Sequence, residues 1–207
     1  MAERALNAFN HEHALPHLLV FADRNRVEME ETFELAAAAR DRFMFEVALE
    51  LPADEASQRA LIFDPRFHDA DALVGQVGAG VLPYQQLNAV AAAIQQQVQT
   101  APALQGYLHR LWRVTRDPHA AGIALPGIDM PRLVAAGASP RAMSMLARAA
   151  RVRAWLEGRS FVVPEDVHAV FAPALQHRIH FTPVYEMRRA EIAPALVKKI
   201  LDSVAAP

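Results

Sequence analysis

Three residues of this 207-residue chain are placed where a side chain could meet a phosphate or an activated water: Asn25, Arg42 and Arg141. Arg141 follows Ser139 and Pro140, which are typical of the cap and the first position of a helix. A cation in the first turn is unfavourable, because the helix N-terminus carries a partial positive charge. We therefore expect an anion beside Arg141; a solvated arginine is the alternative.

Asn25 comes shortly after the apolar run Leu18–Ala22, which has the character of a buried strand. Polar residues at the end of such a strand are where α/β sheets usually place ligand contacts. Asn25 is therefore a candidate for contacting a substrate or a water molecule. Asparagine also closes turns, so a turn at this position is the alternative.

Arg42 lies between a short predicted helix, 34–40, and a second strand candidate, Phe43–Leu51. An arginine fixed at such a junction is well placed to reach a phosphate on a neighbouring subunit, because its planar guanidinium matches phosphate geometry. The alternative is a salt bridge to Asp41 or Glu46, and the spacing leaves both open.

The elements that must position these residues are mostly helical, since 53% of the chain is apolar, glycines are few and apolar positions recur at helical spacing. Two strands alone are marginal in water, so we interpret 1–63 as the remnant of a larger α/β core. A linker is expected at 64–82 and a helical module over 83–207. Helices are predicted over 52–62, 83–99, 102–116, 139–157, 167–175 and 191–204.

The helix that begins at Ser139 is the longest of these and ends at Gly158, which can take a left-handed conformation. Its predicted apolar face consists of Met145, Ala149, Val152 and Leu156. Five arginines also fall within its length or just beyond it, namely Arg141, Arg148, Arg151, Arg153 and Arg159. A basic nucleic-acid-binding helix is therefore an alternative, but helical spacing spreads these charges around the axis and disfavours nucleic acid.

Composition excludes several classes of function. The chain has no cysteine, so it has no disulfide, thiolate nucleophile or cysteine-based metal site. A net charge of −2 gives no general attraction to nucleic acid or anionic lipid. We find no apolar run of membrane-spanning length and no signal-peptide pattern, and so expect a cytoplasmic protein without a membrane partner.

Histidines at positions 11, 13 and 17, with Glu12 between the first two, could contribute to a metal site. Two histidines separated by one residue would share a face of a strand. No fourth ligand accompanies them, so the pattern favours a solvated polar loop, and we predict no metal site here.

Several motifs follow one another in a fixed order: Asp41-Arg42-Phe43, Gly137-Ala138-Ser139-Pro140-Arg141-Ala142, the segment Glu157–Val167 and His177-Arg178-Ile179. Their order and spacing resemble the MoxR branch of the AAA+ ATPases from residue 18 onward. Because separate motifs agree, the resemblance is more specific than any one of them.

The resemblance implies an ATPase that uses ATP and Mg²⁺, assembles into a homo-oligomeric ring, a hexamer, and acts as a chaperone-like remodelling or metal-insertion factor on von Willebrand factor A-domain proteins. It implies that Asn25 is the sensor 1 residue, Arg42 the arginine finger that acts in trans and Arg141 the sensor 2 arginine of a helical lid at 83–207. These roles agree with phosphoryl transfer, which depends on cations placed against developing charge.

The chain departs from the family pattern at several points. Arg26 follows Asn25 where relatives carry proline, and Glu31 precedes Thr32 where they carry glycine. No G-x-x-x-x-G-K-[ST] motif occurs, and the glycine-rich stretch Gly75–Gly80 lacks the lysine and the hydroxyl residue. We therefore expect a truncated chain that is inactive alone; a non-catalytic interaction or decoy subunit of an AAA+ ring is the alternative.

The purified 207-residue chain is expected to show no ATP turnover above a protein-free background, because its sequence supplies neither a phosphate loop nor a Walker B pair for Mg²⁺. Single-turnover hydrolysis with excess protein is the measurement. Product formation that scales with protein concentration would contradict the expectation.

Overall fold

The computed structural model describes residues 5–23, 35–80 and 82–207. The chain divides into two compact units. The smaller comprises Val47–Asn88, and the larger comprises Met1–Glu46 together with Ala89–Pro207. Helices dominate, which confirms the mostly α fold class. No helix among the described residues is both long and apolar enough to cross a membrane.

The core of the larger unit is a bundle of four helices: α5 (Pro102–Arg116), α7 (Pro140–Leu156), α8 (Pro164–Leu175) and α10 (Arg189–Ser203). They bury one contiguous apolar cluster, in which Leu111, Leu146, Phe171, Leu196 and Ile200 are fully enclosed. A further helix, α4 (Leu87–Gln97), buries Ile94 against the same cluster. The predicted helices at 83–99, 102–116, 167–175 and 191–204 are thus confirmed within a few residues.

Both ends of α7 follow from its sequence. The Ser139 hydroxyl accepts the N–H of Ala142 at 3.1 Å, which satisfies one free donor of the first turn. At the other end Gly158 adopts φ of +72°, and the next N–H, from Arg159, reaches the carbonyl of Ala154 at 2.9 Å. This is a Schellman ending, which glycine permits without strain.

The buried face of α7 differs from the predicted one. Ala149 is buried as expected, but Leu156 is exposed and Met145 and Val152 are only half-buried. The residues that α7 buries are instead Ala142, Leu146, Ala149, Ala150 and Ala154. The small alanine side chains let α8, the principal neighbour of α7, approach closely. A prediction that looks for large apolar side chains therefore assigns the buried face of α7 to the wrong residues.

The strands lie elsewhere than predicted. Segments 18–22 and 43–51 form no strand and belong to neither sheet. One antiparallel hairpin joins β1 (Ala5–Ala8) to β2 (His11–Ala14), and a second two-stranded sheet pairs β3 (Val134–Ala136) with β4 (His180–Phe181). An apolar run becomes a strand only where another strand satisfies its backbone, which sequence patterns do not show.

The first hairpin replaces the solvated loop expected around the histidines. Its two turn residues, Phe9 and Asn10, have φ of 51° and 61°, as a two-residue type I′ turn requires. His11 and His13 therefore lie on β2 and are exposed. Within the described residues no group of three or more histidine, aspartate or glutamate side chains could hold a metal ion.

The short helices of the larger unit are α1 (Ala37–Arg40), α6 (Met130–Leu133) and α9 (Pro183–Glu186). The smaller unit contains α2 (Glu55–Phe63) and α3 (Ala70–Gly75), so the predicted linker at 64–82 includes a helix. Asp54 and Asp69 cap these two helices by accepting N–H groups of Ser57 and Ala72. Neither helix buries a residue.

Gly137 precedes α7 at a point of close backbone approach. A Cβ there would lie 2.6 Å from both the Cα of Arg116 and the carbonyl oxygen of Thr115. We expect Gly137→Ala to lower the free energy of unfolding by about 1–3 kcal/mol, because backbone atoms cannot yield as a flexible side chain can. Urea unfolding followed by circular dichroism measures it.

Gly106→Ala is the matched control, since a Cβ at this helical glycine meets only Arg110 Nη1 at an ordinary 3.6 Å. We expect it to stabilise the chain by about 0.5–1 kcal/mol, the usual gain from alanine in a helix. Equal responses of the two variants would contradict the close approach at Gly137.

Candidate functional site

The Asp41 carboxylate lies against the N-terminus of α7. Its Oδ1 accepts the Ser139 hydroxyl at 3.0 Å, and its Oδ2 accepts Arg141 Nη1 at 3.2 Å. Asp41 is 15% exposed, whereas Arg141 is 53% exposed. The anion that the sequence requires beside Arg141 is therefore supplied by the chain itself, from a residue one hundred positions earlier.

Arg178 lies behind Asp41 and is fully buried. Its Nε is 3.8 Å from Asp41 Oδ1, Nη1 donates to the carbonyl of Ala174 at 3.2 Å, and Nη2 donates to the carbonyl of Phe43. Burial lowers the pKa of Arg178 below its usual value; the Asp41 charge opposes this, and Arg141 adds to it. A buried guanidinium is stable only with such partners, so Arg178 ties residues 41–43 to the helical bundle.

Further contacts hold this segment in place. His177 Nε2 donates to the carbonyl of Phe43 at 3.1 Å, and the N–H of Glu46 donates to the carbonyl of Pro173 at 2.8 Å. Gln176 donates to the carbonyl of Glu46 at 3.3 Å. The backbone of 43–46 thus hydrogen-bonds to the end of α8 and to the 3-10 turn that follows it, rather than to a strand.

A second ion cluster lies next to α1. Arg40 Nη2 donates to Glu186 Oε1 at 3.1 Å, and Arg189 donates to both oxygens of Glu186 at 2.7 and 2.9 Å. Burial raises the pKa of Glu186, but the bonds and charges of the two arginines outweigh burial and lower it overall. Arg189 also lies over the ring of Phe181, at 4.7 Å.

Arg42 is exposed, and its guanidinium has no hydrogen bond or ion pair to any described residue. The salt bridge to Asp41 or Glu46 that the sequence left open is therefore not formed, because Asp41 is occupied by Ser139 and Arg141. Asn25 lies outside the described residues, so the structure does not place it.

The arrangement is suited to an anion. Arg141 uses one of its five N–H donors on Asp41 and presents a half-exposed guanidinium, while Arg42 follows Asp41 directly in the chain. Arg141 and the buried Arg178 face the Asp41 carboxylate at 3.2 and 3.8 Å, so net positive charge remains there, and arginine donors match phosphate oxygens. An open cavity of about 500 Å³, lined in part by Ser139, Pro140 and Trp112, adjoins the same helix end.

Sequence reasoning did not assign functional roles to Asp41 and Arg178. The sequence indicates Asp41 only as a partner for Arg42, and Arg178 only as part of a motif. A fully buried arginine gives no local signal that distinguishes it from an exposed one, because its acceptors come from distant parts of the chain.

Three other arginines on α7 or just beyond its end are already paired. Arg153 contacts Glu157 at 2.6 Å, Arg151 donates to Gln95 and Thr100, and Arg159 makes two 2.6 Å bonds to the buried Asp166. Neutralised or engaged donors are poor ligands for a phosphate backbone, so these contacts argue against a nucleic-acid interface on α7.

Residues 132–200 match the family described as the AAA lid domain. The chain is also similar over its full length to a crystal structure of a candidate ATPase from Cytophaga hutchinsonii, with a TM-score of 0.79 and 26% identity, covering 59% of that chain. The part of the bundle that carries Arg141, namely α7, α8 and most of α10, thus corresponds to the lid of an AAA ATPase.

Curated relatives specify the family. The chain is 55% identical to "Protein MoxR" of Methylorubrum extorquens and 51% identical to "Protein MoxR" of Paracoccus denitrificans, over its full length in both cases. It is 31% identical to "Chaperone MoxR1" of Mycobacterium tuberculosis. Over its full length the chain is therefore similar to proteins named MoxR, and these matches support a MoxR-family AAA+ ATPase. It spans 60% and 61% of the length of the first two relatives.

The buried His177 predicts a pH dependence of stability. Burial lowers its pKa below 6.5, although the bond to Phe43 opposes this, and burial likewise lowers the pKa of His180. The unfolded chain then binds protons more readily than the folded chain, so the stabilisation is full above pH 6.5 and is lost as pH falls below it. We expect the free energy of unfolding to decrease from pH 7.5 to pH 5.

Urea unfolding across this range measures the effect, with His177→Gln as the test variant. Its pH slope should be smaller than that of the unsubstituted chain, with the remainder carried by His180. His119→Gln, at an exposed position, is the control and should keep the original slope. An unchanged slope in His177→Gln would show that His177 does not titrate with folding.

Proposed function

We propose that this chain is part of a subunit of an ATP-hydrolysing ring, in which Arg42 is the arginine finger that acts in trans, Arg141 is the sensor 2 arginine and Asn25 is the sensor 1 residue. The observation that carries the proposal is the single carboxylate of Asp41, which bonds to Arg141 and directly precedes Arg42. The MoxR relatives support the reaction class.

The chemistry follows from phosphoryl transfer. ATP supplies the transferred phosphoryl group and Mg²⁺ neutralises part of its charge when both are bound. In the transition state negative charge spreads over the phosphoryl oxygens, and guanidinium donors held in place stabilise it without reorganising. A finger supplied by a neighbouring subunit makes hydrolysis depend on assembly, which accounts for a ring; we propose a hexamer.

In this proposal the chain divides into a core remnant at 1–63, a linker at 64–82 and the lid at 83–207. The exposed apolar side chains of Leu19, Phe21 and Phe45 fit a segment that packs against further parts of an α/β core. The action would be chaperone-like remodelling or metal insertion on von Willebrand factor A-domain proteins in the cytoplasm. The name "Chaperone MoxR1" of one relative supports the first part of that statement.

The test uses a chimera that joins this chain to the remaining residues of the Methylorubrum relative. Arg42→Ala is expected to reduce kcat for ATP hydrolysis by about 10³-fold or more while leaving nucleotide binding intact, because an arginine finger acts on the transition state. Arg141→Ala should also reduce kcat. Steady-state hydrolysis and fluorescent-nucleotide binding are the measurements.

Arg148→Ala is the matched control, since Arg148 is an exposed arginine of the same helix. It should retain full activity. Hydrolysis by Arg42→Ala at the unsubstituted rate would remove the finger assignment. A chimera that forms rings but neither binds nor hydrolyses ATP would favour the non-catalytic subunit instead.

A further inference from the structure

Asp41 bonds to Arg141 and directly precedes Arg42 in the chain. We propose that Asp41 is a positioning residue for ATP hydrolysis: its carboxylate holds one edge of the Arg141 guanidinium so that the other edge is oriented toward the nucleotide phosphate. This inference rests on the proposed function, and it concerns how Arg141 is oriented rather than whether it acts.

The contacts of Asp41 and Arg141 show that Asp41 is the more firmly held of the two. Asp41 is 15% exposed and is held on Oδ1 by the Ser139 hydroxyl and by the nearby charge of Arg178, whereas Arg141 is 53% exposed and bonds through Nη1 alone. A long exposed side chain loses rotamer freedom when it is held at a site. A bond from a fixed carboxylate restrains the guanidinium before the phosphate arrives.

Asp41 is itself fixed by its neighbours in the chain. Two residues later, the carbonyl of Phe43 accepts hydrogen bonds from both Arg178 and His177, which are buried at 0% and 2% exposure. The carboxylate therefore sits on backbone that is anchored to the bundle. Arg42, between Asp41 and Phe43, starts from the same anchored backbone.

Stability alone is a weak reason for this bond. An ion pair with an arginine as exposed as Arg141 contributes little to folding stability. The geometry of arginine explains it better: the planar guanidinium can bond a carboxylate at one edge and a phosphate at the other, which the point charge of lysine cannot do in a fixed orientation. A displacement of about 1 Å at a phosphate-facing group can reduce a rate by about 10²-fold.

The experiment uses the chimeric ATPase and the nearly isosteric Asp41→Asn, which keeps an oxygen acceptor for Ser139 and removes the charge that holds Arg141. We expect kcat to fall by about 10²-fold while KM for ATP changes less than about threefold, since orientation matters in the transition state. A kcat within about threefold of the unsubstituted value would overturn the proposal.

A second variant tests orientation without disturbing the buried cluster. Arg141→Lys keeps the charge at an exposed position but cannot form the fork, so kcat should fall nearly as far as in Arg141→Ala. Full activity of Arg141→Lys would overturn the proposal. Full activity of Arg141→Ala would contradict the sensor 2 assignment itself. If Arg141→Ala lost hydrolysis while Asp41→Asn kept it, only the positioning role of Asp41 would be contradicted.

Asp166→Asn is the control for a merely structural effect. It breaks the bidentate pair with Arg159 just beyond the opposite end of α7, a helix of 17 residues and so about 25 Å long. It should lower Tm, because Asp166 is buried, yet leave kcat per folded protein unchanged. A kcat loss in Asp166→Asn equal to that in Asp41→Asn would show that lid destabilisation alone explains the result.

Discussion

The burial of a charged guanidinium, that of Arg178, is the constraint on which the candidate site depends. A buried charge without partners would cost several kcal/mol, so its acceptors have to be present wherever the chain folds. The carbonyl of Ala174 is local, but the carbonyl of Phe43 and the carboxylate of Asp41 come from more than a hundred residues earlier. Residues 41–46 form neither helix nor strand, so this requirement fixes the position of that segment.

The position of Asp41 in turn resolves an electrostatic problem in α7. An arginine in the first turn is repelled by the partial positive charge of the helix N-terminus. A carboxylate at the same end attracts both that partial charge and the arginine. Ser139 connects the two effects, since its hydroxyl donates to Asp41 while its oxygen accepts the Ala142 N–H. The helix cap Ser139, the carboxylate of Asp41 and the first-turn Arg141 are therefore joined in one hydrogen-bonded cluster.

The sequence predicts some parts of this structure, such as the ends of α7, better than others, such as the strands. Caps and periodicity place α7 between Ser139 and Gly158, because these signals are local. They also indicate that an anion is needed beside Arg141, but not that Asp41 supplies it, since a contact across one hundred residues leaves no local pattern. The apolar run 18–22 predicts a strand wrongly for the same reason: a strand is defined by its partner, and alternation or apolarity describes only one side of the pair.

The distribution of paired and unpaired arginines separates the candidate functions better than their number does. Along α7 and just beyond it, Arg151, Arg153 and Arg159 have partners that occupy their donors, and Arg159 is held by the buried Asp166. Arg141 keeps most of its donors available, and Arg42 has no described partner. Nucleic acid would require a row of available cations, whereas a terminal phosphate requires only a few that converge on one point. The donors that Arg141 keeps available lie at one end of α7 rather than in a row along it, so they fit the second requirement.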